Sequence, residues 1–512
     1  MPKTSKTATD TTTTAAGGVV TYDARFSGVL ISDTATPTAP GQPQNLADPD
    51  PDHDGIAFNG KPIYTLDQAA AQLDRNGAIW PTNNGVVTYS FAENAPGGQY
   101  NNPHNYGFLG SYIDGFESFT PEQRDAARKA IQLWDDLVSI RFVEKNGAGA
   151  DIVYMNTGTG PAQASAYTPF YNGTHGQYAK IQGDVYINQL EPSNLDLQPG
   201  GYGQTTLVHE TGHALGLEHP GDYNFAVGGT ITYAHDAIYF QDSYQYSIMS
   251  YFDAGKTGAK GFVNWATGGY YQTPQTPMLD DIAAVQKMYG ADLTTRTSDT
   301  TYGFHSNADR DVFDFSTNKN PFLTIYDAGG HDTLDMSGFN RNSVLDLREG
   351  HFSTGWGQEV NAAQLNALYG TAFSQATWDA IFDGRTANPG FLTDNIGIAY
   401  GTVIEDGKTG SGNDTLIGND ADNRLDGGAG SDKYTGGGGA DVFVVGQKGF
   451  TDTITDFQAG VDKLDLSAFH IHASDLSYSG NTLLADVDHN GVADLAIVSQ
   501  TGAIQAADIL FG

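Results

Sequence analysis

The sequence predicts an α+β domain, with a mixed twisted sheet and long helices, followed by an all-β domain built as a parallel β-roll. Two observations support this prediction. In residues 56–292, strand-like stretches of β-branched and aromatic residues alternate with helix-like stretches, an order that favours a mixed sheet with helices packed on it. In residues 293–512, glycine and aspartate recur with a nine-residue period that is typical of stacked turns joined by short strands.

The composition limits the class of protein. The 512 residues include 25 Lys plus Arg against 60 Asp plus Glu, and the net charge of −35 argues against nucleic acid or an anionic membrane as a partner. There is no cysteine, which excludes disulfides and thiolate zinc sites. No apolar run is long enough to span a membrane, and none near the N-terminus has the length of a signal peptide.

The N-terminal segment, residues 1–55, has a different composition from the rest. It is rich in Thr, Pro, Asp and Gly and lacks a hydrophobic period, which predicts a flexible segment that does not fold alone. Composition does not distinguish a removable propeptide from a disordered tail. Globular patterning begins at about Asn59.

Local patterns place the elements of the first domain. Val86 to Phe91 alternates and is β-branched or aromatic, as expected of a strand. Thr120 and Gln123 form a capping-box pattern around a proline, which predicts a helix from residue 121. A second helix is predicted to begin at Thr276-Pro277 and to end at Gly290. Further strands are predicted at 140–143, 151–155 and 184–188.

Three histidines and one glutamate recur at fixed spacing in the sequence HETGHALGLEHP, which begins at His209. Positions four apart share a helix face, so His209 and His213 can offer ring nitrogens to one metal ion. Gly216 lets the chain leave the helix and brings His219 round as a third ligand. Glu210 is placed to accept a proton from metal-bound water. Three neutral imidazoles leave one position of a tetrahedral zinc open, as in catalytic sites.

The alternative is a stripe of histidines that bind no metal. Two histidines often share a helix face, so an HExxH sequence by itself would leave this alternative open. The glycine and the third histidine extend the pattern to one of the catalytic signatures of zinc proteases. We therefore predict one catalytic zinc ion.

The extended motif resembles that of the metzincins, which also carry a methionine turn. The stretch 247–251, Ser-Ile-Met-Ser-Tyr, matches such a turn. Pro220, the Gly-Asp-Tyr-Asn that follows it, and Tyr251 resemble the serralysin branch of secreted bacterial zinc endopeptidases, which carry an RTX calcium-binding repeat domain. The resemblance implies that Tyr251 is a further zinc ligand at rest and moves to stabilise the reacting carbonyl.

The resemblance also implies a function. It indicates a secreted, calcium-stabilised zinc endopeptidase that acts on proteins or peptides, with residues 1–55 as a propeptide. An edge strand above the cleft would bind the peptide by strand addition, and Ser165-Ala166-Tyr167 is the candidate. We expect a monomer that leaves the cell through type I export machinery, with the secretion signal in the acidic and apolar stretch at 508–512.

Two other functions stay open from the sequence. One is a calcium-dependent surface or adhesion protein with an inactive protease lobe, against which the intact Glu210 argues. The other is a zinc hydrolase that acts on a substrate other than protein. A peptide-cleavage assay separates these two from an endopeptidase.

The repeat of the second domain has one acidic and one apolar phase. Asp414, Asn423, Asp432 and Asp441 follow one another at nine-residue spacing, and an apolar residue stands two places after each. Stacked turns of this kind would bind calcium between glycine carbonyls and acidic side chains. A flexible Gly-Asp linker is the alternative, but it does not explain the constant apolar phase.

The resemblance implies further calcium ligands before this repeat. An earlier copy begins at Asp327 and matches the first calcium loop of the family, and Glu405 matches a later acidic ligand. At the junction of the two domains, Ser298 stands where the family pattern has glycine, although its backbone carbonyl could still bind the ion. The predicted calcium ligands are Arg296, Ser298, Asp327, Gly329, Gly330, Asp332, Glu405, Gly410, Gly412, Asp414, Gly427, Gly428, Gly430, Asp432, Gly437, Gly439 and Asp441.

Residues near 357–390 exceed what the family pattern has at this place. Their periodicity predicts two short amphipathic helices, at 362–369 and 376–382. We expect a surface insertion beside the roll and assign it no function.

Overall fold

The computed structural model describes residues 20–23, 57–58, 60–81, 85–95, 115–146, 149–169, 181–223, 231–259, 263–264, 270–271, 273–357, 361–369, 371–381 and 392–512. The strands of the first region are β1 (Val20–Asp23), β2 (Ala57–Phe58), β3 (Lys61–Pro62), β4 (Val86–Phe91), β5 (Phe116–Glu117), β6 (Arg141–Glu144), β7 (Ile152–Thr157), β8 (Ala164–Tyr167), β9 (Asp184–Asn188), β10 (Val263–Asn264) and β11 (Tyr270–Tyr271). Its helices are α1 (Leu66–Leu73), α2 (Pro121–Asp135), α3 (Tyr202–Leu215), α4 (Tyr233–Asp236) and α5 (Leu279–Tyr289).

The first region is built on a mixed sheet, as predicted. Its strand order is β1-β8-β9-β7-β4-β6, and β5 pairs with β7. Strands β4, β6, β7 and β9 run parallel, whereas β8 is antiparallel to β9 and β1 is antiparallel to β8. The predicted strand at Val86–Phe91 is confirmed, and its inward residues pack in the main core.

Helix α2 confirms the predicted capping box. The Gln123 N–H donates to the Thr120 hydroxyl at 3.2 Å, and the Gln123 side chain accepts the Thr120 N–H at 2.9 Å. The apolar stripe, which includes Ala130 and the fully buried Trp134, faces the core. These contacts fix α2 beside α3.

Helix α5 begins at Leu279, two residues after the predicted start. The hydroxyl of Thr276 does not cap this helix but accepts the N–H of Thr324 at 2.9 Å, which joins the segment to the second region. The carboxylate of Asp281 instead accepts the N–H of Met278 at 2.8 Å and caps the helix. The helix ends before Gly290, as predicted.

The second region consists mainly of three-residue strands. They are β12 (Thr301–Gly303), β13 (Leu323–Ile325), β14 (Thr333–Asp335), β15 (Val344–Asp346), β16 (Phe352–Ser353), β17 (Ile396–Ile398), β18 (Asp406–Lys408), β19 (Thr415–Ile417), β20 (Arg424–Asp426), β21 (Lys433–Thr435), β22 (Val442–Val444), β23 (Thr451–Ile454), β24 (Lys463–Asp465), β25 (Leu476–Ser479), β26 (Thr482–Ala485), β27 (Leu495–Ser499) and β28 (Ile509–Leu510). The helices α6 (Ala362–Tyr369) and α7 (Gln375–Ile381) lie between β16 and β17.

Successive strands of the repeat alternate between two sheets. One sheet has the order β12-β14-β18-β20-β22-β24-β28, and the other has the order β15-β19-β21-β23-β27-β26-β25. The pairs are parallel except for β25-β26 and β26-β27. This winding is consistent with the predicted β-roll. The apolar residues that follow each acidic position, Leu416, Leu425, Tyr434 and Phe443, are all buried.

The expected insertion is present as two short helices. Helix α6 has the predicted bounds, and Leu365 packs against Trp378 of α7 in a small separate cluster. Residues 358–360, 370 and 382–391 of this segment lie outside the described residues.

The buried apolar residues that recur every nine positions should contribute much of the stability of the second region. Phe443 is 0% exposed, and we expect Phe443→Ala to lower the free energy of unfolding by about 3–5 kcal/mol, because it removes a ring from a packed interior. Phe450→Ala is the matched control. Because Phe450 is 38% exposed, its replacement should lower the free energy of unfolding much less. Urea unfolding followed by circular dichroism at fixed calcium tests this, and equal losses in the two variants would contradict an inward apolar phase.

Candidate catalytic and metal sites

Helix α3 carries two of the predicted ligands through the centre of the first region. Its residues from Gly203 to Leu215 are all buried. The indole N–H of Trp134 donates to the Val208 carbonyl at 3.0 Å, and that of Trp80 donates to the Ala214 carbonyl at 2.8 Å. The helix is therefore held by polar contacts as well as by packing.

Gly216 ends α3 and redirects the chain. Its φ of +112° lies in the left-handed region, and a Cβ at this position would overlap the carbonyl oxygen of Ala78. The Leu217 N–H donates back to the Gly212 carbonyl at 3.0 Å and closes the turn. The turn brings His219 to the other two histidines, as predicted.

The three imidazoles converge through their Nε2 atoms. The Nε2 of His219 lies 3.1 Å from that of His213 and 3.3 Å from that of His209. Nitrogen ligands of a tetrahedral zinc ion, each at about 2.0–2.1 Å, lie roughly 3.3 Å from one another. The donor set and its spacing therefore fit one zinc ion.

Hydrogen bonds at Nδ1 select the tautomer of the two helical histidines. The Nδ1 of His209 lies 2.8 Å from the Ile248 carbonyl, and that of His213 lies 2.7 Å from the Leu217 carbonyl. A carbonyl only accepts, so Nδ1 carries the proton and Nε2 presents its lone pair. Burial lowers the pKa of His209 to about 4 and the pKa of His213 well below its ordinary value. Both rings are thus neutral near pH 7, as metal ligands must be.

The methionine turn lies against the helix that carries the histidines. Met249 is fully buried, and a Cβ at Gly212 would approach its sulfur atom to 2.7 Å. The turn and the helix can pack this closely because position 212 has no side chain.

The structure brings all five predicted residues of the zinc site together. Glu210 follows His209 on α3 and is buried. The ring of Tyr251 has its centroid 4.3 Å from that of His219 and 6.3 Å from that of His209. A carboxylate and a phenol therefore lie beside the three nitrogen ligands.

Sequence reasoning missed the residue that holds the methionine turn. The carboxylate of Asp281 accepts hydrogen bonds from the Ser247 hydroxyl and the Ile248 N–H, both at 2.6 Å. It thereby fixes the carbonyl that orients His209. An acidic residue in the first turn of a helix is usually explained by its favourable interaction with the helix N-terminus. No pattern in the sequence therefore indicated that Asp281 also contacts the methionine turn.

A second group that the sequence did not indicate supports the third histidine. Arg75, just after α1, donates to the His219 carbonyl, and Asn76 donates to the Glu218 carboxylate. Glu218 is 0% exposed and lies 3.7 Å from the Arg75 guanidinium. These contacts fix both sides of the turn at His219, but no local pattern in residues 75–76 points to them.

The chain matches two family models. Residues 113–239 match the model described as Matrixin, and residues 291–367 and 370–491 match the model described as Peptidase M10 serralysin C terminal. Metallopeptidase AprA of Pseudomonas marginalis is 36% identical over 494 residues, which cover 89% of this chain and 93% of that protein. This chain belongs to the serralysin family. It is a metalloendopeptidase, which favours peptide hydrolysis over the other functions that the sequence left open.

Other relatives support the same assignment. Metalloprotease AprA of Pseudomonas entomophila is 38% identical over 444 residues, covering 82% of this serralysin and 81% of the relative. Serralysin B of Dickeya chrysanthemi is 37% identical over 445 residues, covering 81% and 80%. In the described part of this serralysin, no helix is both long and apolar enough to cross a membrane.

The acidic phase of the serralysin repeat forms a hydrogen-bonded ladder. The Asp414 N–H donates to the carboxylate of Asp432 at 2.8 Å, and the Asp432 N–H donates to the carboxylate of Asp452 at 2.9 Å. In the other sheet, the Asn423 N–H donates to the carboxylate of Asp441 at 2.9 Å. Asp452 was not among the predicted ligands, because a longer loop breaks the nine-residue spacing before it.

The earlier copy belongs to the same ladder. The Thr300 N–H donates to the Asp332 carboxylate, and the Asp332 N–H donates to the Glu405 carboxylate, both at 2.7 Å. Asp327 accepts the Gly329 N–H at 2.8 Å. Of the predicted glycines, Gly329, Gly330, Gly428, Gly430, Gly437 and Gly439 have positive φ, whereas Gly410, Gly412 and Gly427 do not.

The side chain of Arg296 forms ion pairs with acidic residues and is not itself a calcium ligand. Its guanidinium donates to the carboxylates of Asp136 at 2.8 Å and Asp309 at 3.1 Å. Only its backbone carbonyl is then available to an ion. The Ser298 carbonyl accepts the Thr300 hydroxyl at 2.8 Å, and Ser298 is exposed, so its side chain has room where the family pattern has glycine.

Several ladder carboxylates keep one oxygen that accepts no hydrogen bond. This is so for the buried Oδ2 atoms of Asp332 and Asp441. Burial, with nearby carboxylates adding to it, raises the pKa of Asp332, Asp432 and Asp441 to about 7. Buried acids without a counter-charge are the donors that a hard divalent cation compensates, so these residues fit calcium.

The ladder predicts that order in the second region depends on calcium. Removal of calcium by a chelator should abolish most of the β signal in circular dichroism, because the crowded carboxylates then repel one another. Some of the helical signal should remain. Asp441→Asn should raise the calcium concentration needed for half-recovery, whereas Asp420→Asn, at an exposed acid in the adjacent stacked turn, should not. A β signal that is identical in chelator and in millimolar calcium would contradict the prediction.

Proposed function

We propose that this serralysin is a secreted, zinc-dependent and calcium-stabilised endopeptidase that cleaves peptide bonds of extracellular proteins. The observation that supports it best is the convergence of three Nε2 atoms beside the buried Glu210: those of His213 and His209 lie 3.1 and 3.3 Å from that of His219. His209, His213 and His219, with Tyr251 at rest, would hold the zinc ion. Zinc bound there would supply a Lewis acid that polarises a substrate carbonyl and makes water more acidic.

The protein's own residues then divide the chemistry. Glu210 accepts the proton of the attacking water and passes it to the amine that leaves, so one carboxylate serves as base and then as acid. Tyr251 donates a hydrogen bond to the carbonyl oxygen as negative charge develops on it. The neutral state of the buried histidines means that no proton competes with the metal near pH 7.

The substrate would bind along β8. This strand contains the predicted Ser165-Ala166-Tyr167, and its backbone can pair with an added strand. In the structure the added strand is β1, which is antiparallel to β8 with Val20 opposite Tyr167 and Asp23 opposite Ala164. Strand β1 thus occupies the place that we assign to the substrate.

Replacing the proposed base tests the function. Glu210→Gln should keep one zinc ion bound but lower the rate of peptide hydrolysis by about 10²–10⁴-fold, because the amide cannot take a proton. Glu122→Gln, at an exposed glutamate in the first turn of α2, is the control and should act like the wild type. Zinc content and hydrolysis of casein are the measurements, and full activity in Glu210→Gln would refute the assigned role.

We also propose that residues 1–55 act as a removable propeptide. Thr21→Pro removes a backbone donor within β1 and should weaken its pairing with β8, so the full-length variant should cleave a short peptide at a higher initial rate than the wild type. Thr12→Pro, outside β1, is the control. Equal initial rates for all three proteins, measured before any N-terminal cleavage, would show that β1 does not block the site.

Export through type I machinery, as a monomer, completes the proposal. The acidic repeat is consistent with it: if folding depends on calcium as predicted above, the repeat would stay unfolded where calcium is scarce and fold where extracellular-type sites can fill, at about 10⁻⁴–10⁻³ M.

A further inference from the structure

A buried carboxylate outside the metal centre joins two of its loops. Asp242 is 0% exposed, and its Oδ1 accepts hydrogen bonds from the Tyr223 hydroxyl and the Ser250 hydroxyl, both at 2.7 Å. Tyr223 belongs to the loop after His219, and Ser250 directly precedes Tyr251. One oxygen atom therefore connects the third-histidine loop to the methionine turn.

The Ser250 contact fixes the backbone around Tyr251. While its hydroxyl donates to Asp242, the same oxygen accepts the N–H of Phe252 at 3.1 Å. Both chain neighbours of Tyr251 are thus tied to one buried group. These contacts restrict backbone movement at Tyr251, so we expect its ring to move mainly by rotation about its own side-chain bonds.

The Tyr223 contact fixes the surface on which Tyr251 rests. The Tyr223 ring stacks on His219 with a centroid distance of 5.5 Å and an interplanar angle of 15°. Its centroid lies 5.0 Å from that of Tyr251. Asp242 therefore acts on the Tyr251 ring from two directions, through the chain and through a neighbouring ring.

Burying this carboxylate is costly, which argues that it has a role beyond packing. Its second oxygen, Oδ2, is buried and accepts no hydrogen bond. Burial raises the pKa of Asp242 to about 7, although its two hydroxyl partners and the nearby Lys61 and Arg75 oppose this rise. An apolar side chain of similar size would avoid this cost but could not accept the two hydroxyl groups.

We propose that Asp242 is a positioning residue for hydrolysis, which holds Tyr251 against His219 by accepting hydrogen bonds from Ser250 and Tyr223. This inference rests on the proposed function of the metal centre. The two hydroxyl groups that donate to Asp242 belong to Tyr223 and Ser250, neither of which is a proposed metal ligand. The effect of Asp242 on catalysis should therefore pass through Tyr251.

The kinetic test compares Asp242 variants in two backgrounds. Asp242→Ala should lower kcat about 10–100-fold, as is typical when a partner of a ligand is lost, with little change in KM. Asp242→Asn keeps an acceptor oxygen and should retain most of the activity. In a Tyr251→Phe background, Asp242→Ala should have little further effect on kcat. An equal loss in both backgrounds would overturn the proposal, because Asp242 would then act independently of Tyr251.

A spectroscopic test reads the position of Tyr251 without catalysis. With Cu²⁺ in place of zinc, a phenolate ligand gives a visible charge-transfer band, which Tyr251→Phe should abolish. We expect Asp242→Ala and Ser250→Ala to weaken or shift this band while copper stays bound. An unchanged band in both variants, or no band in the wild type with copper bound, would overturn the proposal. Ser250→Ala removes a single hydroxyl and carries the comparison if Asp242→Ala does not fold.

A matched control comes from a neighbouring acid. Asp280 is also buried, with an Oδ2 that accepts no hydrogen bond, and burial raises its pKa with a contribution from the nearby Asp281 and Asp242. Among the described residues it has no hydrogen bond to Ser250 or Tyr223, so it tests whether a buried charge near Asp242 is enough to position Tyr251. Asp280→Asn should leave the copper band unchanged, and a change equal to that in Asp242→Ala would overturn the specific role of Asp242. If the wild type bound zinc but cleaved no peptide, the proposed function would fail, whereas the copper band would still decide whether Asp242 positions Tyr251.

Discussion

The proposed metal centre depends on two backbone carbonyls that accept hydrogen bonds from histidine rings. A neutral imidazole has one ring proton, so donation from Nδ1 makes Nε2 the only basic nitrogen. The carbonyl for His209 comes from Ile248 in the methionine turn, and the carbonyl for His213 comes from Leu217 after α3. The loops that carry these two carbonyls must therefore be folded before the rings of His209 and His213 can adopt their orientation. This requirement explains why Asp281 and Gly216, which bind no metal, are as necessary to the geometry as the histidines.

Helix α3 is an unusual setting for such a site because it is buried on all sides. It lacks the single apolar stripe of a surface helix, so its polar groups need partners inside the protein. The hydroxyl of Thr211 pairs with that of Tyr154 at 2.8 Å, and two tryptophans donate to helix carbonyls. Burial within this packed surrounding lowers the pKa of His209 and His213 and restricts movement of their rings.

Features with a local cause could be predicted from the sequence. The capping box of α2, the alternation of β4, the zinc motif and the apolar phase of the repeat each arise from residues within a few positions of one another, and the structure contains all of them. The start of α5 was misplaced because the Thr276 hydroxyl bonds to Thr324, which is 48 residues away. Asp242, Glu218 and the second role of Asp281 escaped for the same reason, since their partners are distant in sequence. The pairing of β1 with β8 could not be foreseen from a segment whose composition has no period.

The two regions of this serralysin differ in the charge of the side chains that they bring together. Neutral histidines converge without repulsion, whereas the aspartates of the ladder face one another, and their backbone partners satisfy one oxygen each. Order in the second region should therefore depend on cations more than order at the proposed zinc site does. The parts are nevertheless joined just before α5, where Thr276 accepts the Thr324 N–H and Gln275 donates to Asn318 at 3.0 Å. The same helix carries Asp281, which holds the methionine turn. These contacts therefore connect β13 and the loop before it, which lie outside the two repeat sheets, to the segment that leads into Asp281.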